Sequence, residues 1–157
     1  MDLVWLLFSA NGRVGPMHFW MGAFILFAFG FLSLLIPVAG PLIWWLSSYC
    51  WFCLYAKRLH DFGKSVWFEV IVFAFGYLCL GLGVIIGGIG ALDAVIANRF
   101  NWEMFVGAAG AVIGLLAASG AAHLTFLLYV GFRPSERRAN RYGPPSDPRF
   151  VAAPSKG

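Results

Sequence analysis

The stretch VWFEVIVFAFGYLCLGLGVIIGGIGAL, residues 66–92, carries a single charged side chain, Glu69. A helix needs about 20 consecutive, mostly apolar residues to cross the hydrocarbon core of a bilayer, so this run reads as a membrane span. The rest of the chain agrees. Apolar residues make up 61% of its 157 positions and charged residues 11%, with a mean hydropathy of +0.79. Soluble domains are roughly 45–50% apolar, and so short a chain cannot bury this much apolar surface in water. The expected fold class is an all-α, polytopic membrane protein.

Working outward from 66–92, three more spans are expected, at about 18–36, 41–56 and 105–131. Pro16 stands just ahead of the first, where its missing N–H matters little. Pro37-Val-Ala-Gly-Pro41 breaks that helix, and so short a connection forces an antiparallel hairpin. Residues 1–143 then form a four-helix transmembrane domain, and 144–157 a flexible, proline-rich tail. The opening DLVWLLF has no basic segment before it and too short an apolar run to serve as a cleavable leader.

Four spans place the N-terminus, the loop after residue 56 and the C-terminal tail on one side. That side holds Arg13, Lys57, Arg58, Lys64, Arg133, Arg137, Arg138, Arg141, Arg149 and Lys156, whereas the other holds Arg99 alone. Lys and Arg are retained on the cytoplasmic side of a membrane, so both termini are expected in the cytoplasm (N-in/C-in). Trp20 and Trp67 then fall near the inner interface, and Trp44, Trp45 and Trp102 near the outer one. The net charge of +4 follows from this bias, and no nucleic-acid partner is expected.

The most polar run ahead of the tail is KRLHDFGKS, residues 57–65. Cations at Arg58 and His60 suit the negative end of a helix, Gly63 suits a left-handed turn, and Ser65 suits the cap of the next helix. Asp61 can pair with Arg58 or Lys64. A second reading makes the run an anion site, with Lys64 and Ser65 at a helix N-terminus and Arg58 beside them. The triplet GKS is not a phosphate-binding loop, because Arg58 stands where that motif requires glycine.

KRLHDFGKSVWF resembles the central signature of the small bacterial inner-membrane proteins grouped as domain of unknown function 805 (YhaH-like). FSANGRVGPMHFW (8–20) is similar to the family's opening and NRYGPP (140–145) to its closing motif. Pro16, Val66 and Phe68 depart from the pattern. The resemblance implies a helical inner-membrane protein with no established activity. The topology sends Gly12-Arg13, Arg58–Lys64 and Asn140–Gly143 to one face. The candidate polar cluster is therefore Arg13, Lys57, Arg58, His60, Asp61, Lys64, Ser65, Asn140 and Arg141. As a latch, Asp61 receives Arg141 or Arg13; as a site, the cations face an anionic lipid headgroup or an acidic partner.

Other motifs carry less chemistry. Gly83-x-x-x-Gly87 and Gly110-x-x-x-Gly114 suit close helix packing or a homo-oligomer seam. Cys50 and Cys53 in CWFC read as small packing residues, since a thiol oxidoreductase needs a second cysteine pair. Glu69, one turn inside its span, is expected to stay ionised beside Lys64. His123 reads as a neutral ring bonded to a neighbouring helix. No catalytic constellation, cofactor or metal site is visible. The expected function is a non-enzymatic binding or accessory component of the inner membrane, with a membrane-protein partner or a second copy as further candidates. A small transporter or channel is the alternative, and a thiol oxidoreductase the third reading.

Overall fold

The computed structural model describes residues 2–33, 35–36, 38–96 and 101–147. Within these residues five helices follow one another: α1 (Leu3–Phe8), α2 (Pro16–Ser33), α3 (Gly40–Asp61), α4 (Trp67–Ile96) and α5 (Trp102–Phe132). Among the described residues there is no strand, only a bridge between Asn140 and Gly143. Of the helices among the described residues, three, α2, α4 and α5, are long and apolar enough to cross a membrane. The protein is all-helical and multi-pass. The fourth expected span falls on a helix of different character. With 22 residues, α3 reaches about 33 Å, but Trp44, Trp45, Ser47, Ser48, Tyr49 and Trp51 dilute its apolar run.

Two boundaries differ from the expected ones. Helix α2 stops at Ser33 rather than Ile36, where the Ser33 hydroxyl donates to the Gly30 carbonyl at 2.7 Å. The turn there is tight enough that a Cβ on Gly40 would collide with the Ser33 carbonyl. Helix α3 runs past residue 56 to Asp61, which carries KRLHD onto helix. A third difference is α1 itself. DLVWLLF folds because Asp2 caps it, its Oδ1 accepting from the Val4 and Trp5 amides at 2.9 and 3.3 Å.

The chain divides into two compact units, Met1–Glu69 with Leu128–Gly157, and Val70–Leu127. In the first, α2 and α3 pack antiparallel. Phe19 meets Tyr55 with ring centroids 5.5 Å apart, and Phe27 meets Trp51 at 5.1 Å. Gly22 leaves room for Leu54, whose Cδ1 would lie 3.0 Å from a Cβ there. Trp20 fills the gap over Gly131 and packs on Phe132 at 5.2 Å. Cys50 and Cys53 are buried, unpaired thiols.

In the second unit, glycines of α4 face side chains of α5. A Cβ on Gly83 or Gly87 would meet Val112 at 3.8 or 3.9 Å, and one on Gly90 would meet Ala108 at 3.4 Å. No described atom lies within 4 Å of such a Cβ on Gly110 or Gly114. The second glycine pair therefore lies off this seam. Each of its members is two residues from Val112, which at about 100° per residue is the far side of the helix. Large apolar side chains such as Phe24, Ile71, Val84 and Ile113 point outward, the inverse of a soluble protein and suited to lipid.

Candidate functional site: a junction of helix ends

Helix α3 ends in a tight cap. Gly63, at φ +73°, turns the chain left-handed. Its amide donates to the His60 carbonyl at 3.2 Å, and the Lys64 amide to Leu59 at 2.9 Å, the paired bonds of a Schellman motif. Ser65 then caps α4, its hydroxyl oxygen accepting from the Trp67 amide at 3.4 Å. Residues 9–15, the last turn of α5 and the segment after it gather around this corner.

Three cations hold them there. Lys57 is fully buried, and its ammonium donates to the carbonyls of Trp5, at 2.6 Å, and Leu6. Both belong to the last turn of α1, and the charge also lies 4.5 Å from the centre of the Trp5 ring. Arg58, equally buried, donates from Nε to Val130 at 3.1 Å and from Nη2 to Arg133, the end of α5. Its Nη1 reaches the Val14 carbonyl, the Ser135 hydroxyl and the Asp61 carboxylate. Arg13 pairs through Nε with Asp61 at 3.3 Å. It also donates to the Asp61, Glu136, Arg138 and Gly143 carbonyls at 2.9, 2.6, 2.8 and 3.2 Å.

The last carbonyls of a helix have no partner within it and carry about half a negative charge together. Here the C-terminal ends of α1, α3 and α5 converge. Three such ends and the Asp61 carboxylate supply roughly −2.5 against the +3 of Lys57, Arg58 and Arg13. These ends and Asp61 thus offset much of the charge of Lys57, Arg58 and Arg13 inside the protein. Burial still acts: it pushes the Lys57 ammonium down to about 8, against the nearby Cys53 and Cys50 thiols. It also lowers Arg58, with Asp61 working in the other direction.

The segment after α5 completes the junction. The Glu136 amide donates to the Asp61 carbonyl at 3.0 Å, and the Asn140 side-chain amide to the His60 carbonyl at 3.0 Å and to Glu136 at 2.7 Å. Asn140 and Gly143 exchange backbone bonds of 3.1 and 3.0 Å, which puts Tyr142 flat on His60, centroids 3.7 Å apart and planes within 11°. Residues 144–147, read from the sequence as the start of a loose tail, continue this ordered segment, with the Ser146 hydroxyl 3.5 Å from that of Ser135. Residues 148–157 lie outside the described residues.

Arg13, Lys57, Arg58, His60, Asp61 and Asn140 therefore come together, while Lys64, Ser65 and Arg141 stand at the rim. Arg13, not Arg141, receives Asp61. Arg58 is engaged by carbonyls and Asp61, so it does not flank an anion at the start of α4. The rim cations lie over aromatic rings instead: Lys64 over Phe68 at 5.8 Å, Arg133 over Phe62 and Tyr129 at 5.1 and 5.3 Å, and Arg141 over Tyr142 at 4.7 Å. Sequence reasoning missed Trp5, Ser135 and Glu136, and placed Tyr142 only as part of the Asn140–Gly143 motif. Asp2 ahead of LVWLLF was a legible helix cap; the other contacts have no local signature.

A family model described as a protein of unknown function (DUF805) matches residues 7–144, a range that includes all three segments of the junction. The chain belongs to this family. No curated protein and no solved structure matches the chain. In this DUF805 protein the junction residues from Arg13 to Gly143 lie within the matched range.

Two further polar groups lie in the apolar helices. Glu69 is fully buried, and neither carboxylate oxygen has a hydrogen-bond partner among the described residues. It forms no ion pair with Lys64, whose ammonium lies over Phe68. A buried carboxyl without partners costs about 1–3 kcal/mol. Glu69→Met should therefore raise the midpoint of thermal unfolding in detergent by a stabilisation of that order; a lowered midpoint would show that Glu69 holds a partner in the native protein. His123 bonds within its own helix, Nδ1 donating to the Ser119 carbonyl at 2.9 Å. Its ring occupies the gap left by Gly76 and meets Phe73 at 5.6 Å.

Proposed function

We propose that this DUF805 protein is a non-enzymatic, four-pass component of the bacterial inner membrane, with both termini in the cytoplasm and a basic rim that engages anionic lipid headgroups. The part of α3 ahead of Lys57, residues 40–56, lies at the short end of the roughly 17–25 residues that cross a bilayer, and it supports a fourth crossing. The junction supports a common side for the termini, because residues 13, 58–61 and 136–143 share one set of bonds. The ten-to-one distribution of Lys and Arg supports the cytoplasm as that side.

One observation carries the lipid reading. The buried cations are engaged by carbonyls and Asp61, whereas the rim cations Lys64, Arg133 and Arg141 each lie on an aromatic ring. Aromatic rings settle at headgroup depth, and long basic side chains beside them reach the phosphates. A guanidinium lying on a ring can still present N–H groups to a phosphate, and Arg133 spends one of its own on the Tyr129 hydroxyl.

The test is native mass spectrometry of protein released from nanodiscs of phosphatidylglycerol or phosphatidylcholine. The wild type should retain the anionic lipid selectively. Each cation near a membrane surface contributes about 1 kcal/mol. Lys64→Gln with Arg141→Gln should thus weaken retention by on the order of tenfold or more, at unchanged thermal stability. Equal retention by both proteins would leave the rim as solvated side chains. For the topology, a reporter active only in the cytoplasm should work after Gly157 and fail near Asn98.

A further inference from the structure

We propose that the N-terminal segment is re-entrant: α1 dips into the leaflet on the junction's side, and lipid acyl chains cover its outward face, Leu3, Val4 and Phe8. A helix of six residues is far too short to cross a bilayer. Nothing local in DLVWLLF separates a helix inside the membrane from one lying in water. Its place beside the spans does.

Helix α2 serves as the ruler of depth. Its 18 residues rise about 27 Å, no more than the roughly 30 Å of hydrocarbon, so a crossing by α2 needs even its first turn inside the membrane. Gly22 stands six residues past Pro16, about 9 Å further in. A Cβ on Gly22 would lie 3.3 Å from Leu6 Cδ2 and 3.0 Å from Leu54 Cδ1. Helix α1 is therefore packed at that level, with Leu6 fully buried. From α3, the Tyr49 hydroxyl donates to the Phe8 carbonyl at 3.3 Å. Tyr49 stands twelve residues ahead of Asp61, about 18 Å along the helix from that end. Lys57 leans the same way, since helical side chains tilt toward the N-terminus of their own helix. The chain then climbs back to the junction, where the Val14 amide reaches the Lys57 carbonyl at 3.3 Å.

The polar groups of α1 are arranged for such a place. The last four carbonyls of a helix have no partner within it, and hydrocarbon offers them no donor. In α1 the carbonyls of Trp5 and Leu6 receive the Lys57 ammonium, and that of Phe8 receives the Tyr49 hydroxyl. In water, hydration would satisfy these oxygens, and burying a lysine to do so would be a costly substitute. The outward face is apolar: Val4 is 67% exposed, Leu3 50% and Phe8 44%. Ahead of Arg13 the one charged side chain is Asp2, which caps the start of α1, away from the end held by Tyr49. Re-entry needs neither the rim cations nor the cytoplasm as the junction's side, so it stands or falls apart from the headgroup reading.

The experiment is spin labelling of the full chain in phosphatidylcholine nanodiscs, one added cysteine at a time. The unsubstituted protein is the labelling control, because Cys50, Cys53 and Cys79 are buried. Collision with oxygen, which concentrates in the bilayer, is compared with collision with a nickel chelate, which stays in water. Labels at Val4→Cys and Phe8→Cys should favour oxygen severalfold, as a label at Phe24→Cys on the lipid face of α2 does. A label at Ala139→Cys, exposed in the segment after α5, should favour the chelate. A second measurement uses charge instead of a label. Val4 lies in the first turn of α1, where an acid favours a helix in water. In acyl chains the same carboxylate is costly, so Val4→Glu should lower the midpoint of thermal unfolding in nanodiscs by several degrees, while Val4→Leu leaves it unchanged. Labels at Val4 and Phe8 that behave like the one at Ala139 would overturn the re-entry. So would a midpoint left unchanged or raised by Val4→Glu.

Discussion

Asp61→Ala is expected to be the most damaging single substitution in the chain, lowering stability by about 3–5 kcal/mol. The carboxylate is fully buried, with its oxygens bonded to Arg13 and Arg58. Removing it leaves two guanidiniums together in a buried corner, where an unpaired charge is costly. Thermal unfolding in detergent reads the loss directly. Double substitutions identify the partners. Asp61→Ala combined with Arg13→Ala should fall short of the sum of the two, since each removes the other's partner, whereas Asp61→Ala and Arg141→Ala should add. Additivity with Arg13 would mean that the ion pair contributes nothing, and the electrostatic account of the junction would fail.

Arg58→Ala is expected to come next, at a similar 3–5 kcal/mol. This exceeds what a basic residue in a solvated loop would cost, because Arg58 ties α3 to the end of α5 and to residues 9–15. Its removal orphans the Val130, Val14 and Arg133 carbonyls as well as part of Asp61. The sequence pattern alone would have ranked Arg58 with Lys64 as a binding cation. The structure separates them: among the described residues the Lys64 side chain makes only a ring contact at the rim, so Lys64→Ala should be nearly silent in unfolding. Arg58→Lys should recover little, since one ammonium cannot replace a fork that donates from Nε, Nη1 and Nη2 in three directions. Hydrogen exchange of the last turn of α5 offers a local check, and unchanged protection there in Arg58→Ala would show that α5 is held by apolar packing alone.

Much of this protein was legible from composition and period. Long apolar runs between Pro- and Gly-marked breaks gave the helical class and the places of α2, α4 and α5, because a bilayer forces each segment to satisfy its own backbone bonds. Gly63 and Ser65 announced the end of α3 and the start of α4, since left-handed turns and helix caps depend on single residue types. Even the gathering of Arg13, His60, Asp61 and Asn140 followed from counting crossings. The partners did not follow. Neither Lys57 on the α1 carbonyls nor Arg58 on those of α5 can be read locally, because a carbonyl acceptor has no residue identity to betray it.

What the sequence by itself determined is therefore the class, the spans of strongest hydropathy and the polar residues that share one end of the helices, all consequences of local chemistry summed along the chain. What only the tertiary structure decided is the use of those polar residues. Three helix C-termini meet at one corner, and their combined partial charges, together with Asp61, offset much of the apparent surplus of Lys57, Arg58 and Arg13. Helix dipoles and backbone acceptors exist only once the chain is folded, so no count of charged side chains anticipates them.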